Sequence, residues 1–167
     1  MVHGSPRSPW EPIYPISTED EIEFMLAGVE ESTVVAAHTH LPMDRRVGRW
    51  RILNPGPVGV PLDGMFCARY MLLESNAEGW HPVFRSVNFD DELLYREFGR
   101  QGFLEECGVS GHLVIEEFKT ARLQVSPFNR WRKACRPDAP LSMALLDEFS
   151  RINRWDYTPL AYHVNRS

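Results

Sequence analysis

The run Thr33-Val34-Val35-Ala36-Ala37 constrains this chain more than any other feature. Alternate residues of a strand face opposite sides, and here both sets are small or β-branched with no polar face to offer water. Such a strand has to be covered on both sides, which places it inside a sheet with layers above and below.

The flanking segments supply candidates for those layers. Pro6, Pro9, Pro12 and Pro15, with Trp10 and Tyr14 between them, forbid a regular helix and predict an extended loop pinned by its aromatics. Thr18 and Glu21 make a capping-box pattern, and Ile22, Met25, Leu26 and Val29 follow at helical spacing. The expectation is a helix over 18–29. Further strands are expected at 50–53, 66–73 and 81–87, the last two joined by a turn at 75–79. Four short strands after one helix predict a mostly antiparallel sheet. From Asn88 the pattern turns helical. Asp90 can cap a helix carrying Leu93, Leu94 and Phe98, and Leu113, Val114 and Phe118 fit another. Ser126-Pro127 and Ser142 are plausible starts of two more.

Composition narrows the function classes. The 167 residues carry a formal net charge of -5, a field that repels nucleic acid and anionic membrane. Cys67, Cys107 and Cys135 are odd in number and far apart, so neither a disulfide framework nor a zinc–thiolate site is expected. No stretch approaches the ~20 apolar residues of a membrane span. No signal-peptide core follows Met1, and a cytoplasmic protein is expected.

Directly after the apolar run comes His38-Thr39-His40. Imidazoles at i and i+2 on a strand end can point the same way, and neutral imidazole binds Zn, Mn, Fe or Ni without adding charge. A bare His-x-His also suits two histidines in a polar turn. One strand later stands Asn54-Pro55-Gly56-Pro57-Val58-Gly59, and His3-Gly4-Ser5-Pro6-Arg7 precedes the proline-rich loop. His81, His112 and His163 fall in no pattern. Arg45, Arg46, Arg49 and Arg51 could attract a phosphate but are expected to be a solvated hairpin.

The three segments, in this order, resemble the calcineurin-like metallophosphoesterase superfamily, particularly its small bacterial and archaeal phosphodiesterases. There a Gly-His-x-His motif ends a buried strand, and an Asn-Pro-Gly-Ser-Val-Gly turn follows. The resemblance implies that His3 and His38 bind one metal of a dinuclear pair and His40 the other. Asn54, Gly56 and Gly59 would shape the turn beside them. Ala37 replaces the family's glycine and Pro57 its serine. The family's Asp-x-His, Gly-Asp-x-x-Asp and Gly-Asn-His-Asp segments occur nowhere in the chain.

The fold expected from this resemblance is α/β: residues 1–87 as the C-terminal half of a four-layer α/β/β/α sandwich, and 88–167 as a helical extension packed on it. The chain would be an N-terminally truncated fragment of a metal-dependent phosphoesterase. Its expected partners are a phosphate-ester small molecule or nucleotide, two divalent metal ions, and the missing N-terminal half. It would expose apolar surface and unpaired strand edges, and His3, so near a chain end, would be loosely held. The alternative is a non-catalytic binding or structural remnant holding a single metal. A mononuclear three-histidine zinc hydrolase ranks last, for want of a general base. Oligomeric state is left open.

Overall fold

The computed structural model describes residues 1–77 and 79–163, with the elements α1 (Glu19–Met25), β1 (Thr33–Val35), β2 (Met43–Val47), β3 (Trp50–Asn54), β4 (Ala68–Asn76), β5 (Gly79–Val87), α2 (Asp91–Arg100), α3 (Phe103–Thr120), α4 (Val125–Cys135) and α5 (Met143–Ser150). Short 3-10 turns follow at Arg154–Asp156 and Leu160–Tyr162. These elements divide into two compact units, one of residues 1–59 and 67–87, the other of 60–66 and 88–163.

In the first unit β1, β3 and β2 form a three-stranded sheet in that order. β1 runs parallel to β3, pairing Val34 with Ile52, and β2 runs antiparallel to it, pairing Arg45 with Ile52. The apolar strand is present, but at the edge of its sheet and not buried on both faces: Val34 and Ala36 are buried, while Thr33, Val35 and Ala37 on the other face are half-buried. The sheet around it is mixed rather than mostly antiparallel, and β4 and β5 form a sheet of their own. Two things escaped the pattern reading. β2 carries Asp44, Arg45 and Arg46, a polar stretch with no period-2 apolar signal. The 36–42 connection also carries β2 past β1 to the far side of β3.

α1 forms as expected at its start: Thr18 accepts from the Glu21 N–H while Glu21 Oε2 accepts from the Thr18 N–H, a reciprocal capping box. It ends at Met25 rather than Val29, and Gly28, at φ +83, occupies a left-handed conformation that a helix cannot continue through. Ile22, Met25 and Leu26 nevertheless point into one core with Ile13, Val34, Met43 and Ile52.

The arginines lie on a hairpin as expected, and Arg46 is exposed, but the other three also act as tethers. Arg45 donates to the carbonyls of Pro15 and Ser17, and Arg49 to that of Glu30. Arg51 reaches across the β2–β3 ladder to Asp44 in a two-pronged pair of 2.8 and 2.7 Å, and donates to the Trp80 carbonyl at 3.1 Å. That last bond joins the sheet to the β4–β5 hairpin. The hairpin is a two-stranded antiparallel ribbon whose Glu78 lies outside the described residues. Tyr70, Leu72, Trp80, Phe84 and Val87 on it are exposed. Ribbons of two strands are marginal unless something covers a face.

The second unit is helical. Val109 and Leu113 of α3, Phe128 and Trp131 of α4, and Leu145 and Phe149 of α5 make its core. The Phe128 and Phe149 rings meet edge-on with centroids 5.3 Å apart. Asp90 and Ser142 cap α2 and α5 as expected. α4 differs: Gln124, not Ser126, stands at the cap position, and its side chain makes no cap bond. The buried Glu117 of α3 supplies it, accepting from the Gln124 and Val125 N–H groups at 2.8 and 2.9 Å. A carboxylate there satisfies orphan donors and suits the positive helix end. Gly64 belongs to this unit, its N–H donating to the Ala121 carbonyl at 2.9 Å.

The Asp44–Arg51 pair carries a pH signature. Hydrogen bonding from Arg51 and its charge hold the Asp44 carboxyl below its ordinary range. A depressed folded pKa contributes stability that is present above the unfolded value of ~3.9 and is lost as pH falls through the folded one. Asp44 is 37% exposed at its side chain, so the contribution is at most about 1 kcal/mol. Asp44→Asn should therefore melt slightly below the parent at pH 7, and the two should converge in melts below pH 3.

Candidate metal centre

The site grows from the end of β1. Beyond Val35 the chain enters a γ-turn: the Thr39 N–H donates to the Ala37 carbonyl at 2.6 Å, and the residue between them, His38, sits at φ +60. His40 also has a positive φ, 57. Two non-glycine residues in this region cost backbone energy and persist only where the surroundings hold them.

Asn54 at the end of β3 holds them. Its side chain is buried, with Nδ2 donating to the Ala37 carbonyl at 2.8 Å and to Thr39 Oγ1 at 3.0 Å. Its Oδ1 accepts from the Gly56 N–H at 2.9 Å. One amide thus joins the histidine turn to the Asn-Pro-Gly turn. Gly56 is required twice over: φ is +85, and an added Cβ would lie 2.7 Å from Arg69 Cδ and 2.9 Å from Pro42 Cγ. At Gly59 a Cβ would meet nothing within 4 Å.

His3 arrives from the other side. The Val2 N–H donates to the Val35 carbonyl at 2.9 Å and the Ala37 N–H to the His3 carbonyl at 2.8 Å. The expected looseness of His3 is therefore not found, because β1's outer edge binds the residues around it. Gly4 next to it is buried, and a Cβ there would lie 2.6–2.8 Å from the carbonyl oxygens of Ser8, Pro9 and Glu11. Ser5 stiffens the same loop, its hydroxyl accepting from the Arg7 N–H at 3.1 Å and donating to Glu11. The Ser5-Pro6-Arg7-Ser8 run carries this signal as a serine turn, which pattern reading passed over. Trp10 does not pin the loop as expected. It is 79% exposed, its ring edge-on to His38 with centroids 6.4 Å apart.

These constraints bring His3 Nε2 and His38 Nδ1 to 3.1 Å. Two nitrogens each ~2.0–2.1 Å from one ion, at octahedral to tetrahedral angles, lie about 2.8–3.4 Å apart. The pair therefore fits a shared cation, and the same spacing suits a ring-to-ring hydrogen bond. Burial lowers the pKa of His38, and the charges of His3 and His40 lower it further. The result favours neutral imidazole, the form with a free lone pair. His40 is close enough for its charge to bear on His38. Among the described residues no three His, Cys, Asp or Glu side chains gather as a metal-holding group. A groove of about 370 Å3 lined by Val2, His3, Val35, Ala37 and Pro55 opens beside His3. No helix among the described residues is long and apolar enough to cross a membrane.

No protein-family model matches the chain, and no curated protein matches it. Solved structures do. A metallophosphoesterase from Sphaerobacter thermophilus aligns over 72% of this chain and 54% of its own, with a TM-score of 0.58 and 23% identity. A hypothetical protein from Pyrococcus horikoshii OT3 aligns over 74% of this chain and 45% of its own, with a TM-score of 0.55 and 23% identity. The chain is a mixed α/β protein with a metallophosphoesterase-like fold, and it spans about half the length of these two structures.

Substitutions at two positions probe this geometry. Asn54→Ala leaves the Gly56 N–H and the Thr39 hydroxyl without their buried partner and should cost roughly 2–4 kcal/mol in denaturant unfolding. Both His38→Gly and His38→Ala delete the imidazole, but only glycine relieves the positive φ. The glycine variant should be the more stable by about 1 kcal/mol, and equal melts would refute the turn geometry.

Proposed function

We propose that residues 1–87 are the histidine-bearing, C-terminal half of a four-layer α/β/β/α sandwich that hydrolyses phosphate mono- or diesters at a dinuclear divalent-metal site. The 3.1 Å approach of His3 Nε2 to His38 Nδ1, set by β1 and Asn54, is the observation that carries this reading. Bound divalent cations would supply Lewis-acid stabilisation of charge on a phosphoryl group. His3 and His38 would hold one ion, with His40 available to a second. Mn, Fe, Zn and Ni all accept imidazole.

Neutral imidazoles bring no negative charge and no bridge between two ions. The carboxylates this chemistry needs would come from a segment outside residues 1–167. The exposed apolar side chains of the β4–β5 hairpin and the groove beside His3 support the reading, since both offer surface to such a segment. A second reading, a non-catalytic remnant holding one ion, is supported by the pairing of His3 with His38 where, among the described residues, no three His, Cys, Asp or Glu side chains gather as a metal-holding group.

Metal titration of the 167-residue chain followed by dialysis and elemental analysis should find at most one weakly held ion, lost in His38→Ala. Co-expression with a segment carrying Asp-x-His, Gly-Asp-x-x-Asp and Gly-Asn-His-Asp should raise the content to two. It should also yield phosphodiesterase turnover that His38→Ala abolishes. Two tightly held ions in the chain alone would overturn the half-site. A complemented protein that binds two ions and hydrolyses nothing would overturn the phosphoesterase, and one that still holds a single ion would establish the remnant.

A further inference from the structure

The helical unit contains a cavity of about 580 Å3 that owes nothing to the histidine site. That volume falls within the roughly 300–1,000 Å3 of small-molecule sites. One part of its lining is apolar: Leu113 and Phe149 belong to the unit's core, and Leu146 and Ile152 pack against it. Arg154 and Trp155 line it as well.

Arg154 is the unusual member. Its guanidinium lies 4.8 Å from the centroid of the Trp155 ring, and among the described residues it has no hydrogen-bond or ion-pair partner. Arg100 pairs with Glu97, Arg136 with Glu148 and Arg151 with Asp147, and Arg96 and Arg130, which have no such carboxylate among the described residues, are exposed to water, whereas Arg154 is half-buried. A second cation stands close by. The Arg122 guanidinium lies 5.5 Å from the same indole centroid and is packed so closely over Gly64 that a Cβ there would come within 2.7 Å of it. Burial, and after it the charge of Arg122, lower the pKa of Arg154. Its positive charge is therefore held at a cost that a bound anion would offset.

We propose that this cavity binds a small amphipathic organic anion, its carboxylate on the Arg154 guanidinium and its hydrocarbon or aromatic body against Leu113, Leu146 and Phe149. A guanidinium fork matches a planar carboxylate in two parallel bonds. Glu116 also lines the cavity, paired with Lys119 at 3.0 Å. Its negative charge disfavours a phosphate dianion and leaves the single-charged carboxylate as the better fit.

The test compares three probes of one shape on the full chain: 4-phenylbutyrate, 4-phenylbutanol and 4-phenylbutylamine, titrated by calorimetry with ligand-observed NMR. The acid should bind saturably in the micromolar to millimolar range, about tenfold tighter than the alcohol, with the amine weakest. Arg154→Gln should bring acid and alcohol together, and Leu146→Trp, which fills the cavity, should remove both. Because the probe series is run on the unmodified protein, a variant that fails to fold does not decide the outcome. Equal binding of acid and alcohol, a preference that survives Arg154→Gln, or no saturable binding of the acid would each overturn the proposal.

Discussion

The side-chain amide of Asn54 is the point on which the first unit depends. It is buried, and every bond it makes goes to a group that would otherwise lack one of its partners: the Ala37 carbonyl, the Thr39 hydroxyl and the Gly56 N–H. Because Asn54 sits at the end of β3 and β1 pairs with β3, the sheet and the loop cannot move independently. The left-handed backbone at His38 is held by this arrangement rather than by local preference. His3 then meets His38 because hydrogen bonds to β1 hold the residues around it.

The first unit is accordingly stiff where the imidazoles meet and poorly covered elsewhere. Three strands and a seven-residue helix build a single small core around Ile22, Leu26 and Ile52. The β4–β5 ribbon keeps large apolar side chains exposed, and the Arg51 guanidinium ties it to the sheet through the Trp80 carbonyl. Exposed apolar side chains of that size make a surface able to receive a partner. The helical unit is built differently, on an aromatic cluster of Phe128, Trp131 and Phe149. A buried carboxylate, Glu117, fixes the start of α4 from outside it. Its cavity joins an apolar wall of Leu113, Leu146 and Phe149 to polar groups that include Arg154 and Glu116.

Where local physics is decisive, the sequence was a sound guide. The apolar β-branched run does form a strand, with Val34 and Ala36 buried, although its other face is only half-covered because β1 lies at the sheet's edge. Thr18 with Glu21, Asp90 and Ser142 mark helix starts because each cap bond spans only two or three residues. The metallophosphoesterase resemblance of residues 1–87 agrees with the similarity in fold to a solved metallophosphoesterase. Interactions between distant residues lay beyond that reach. β2 has no apolar alternation, and only its ladder with β3 makes it a strand. The cap of α4 comes from a residue in α3, so no pattern around Ser126 could reveal it. His3 and His38 are 35 residues apart, and their 3.1 Å approach exists only because β1 binds the chain on either side of them. Sequence alone determined which residues could serve as strand, cap and ligand, because those are properties of side chains and near neighbours. Tertiary structure alone decided which of them meet, because hydrogen bonds between remote strands and turns set those distances.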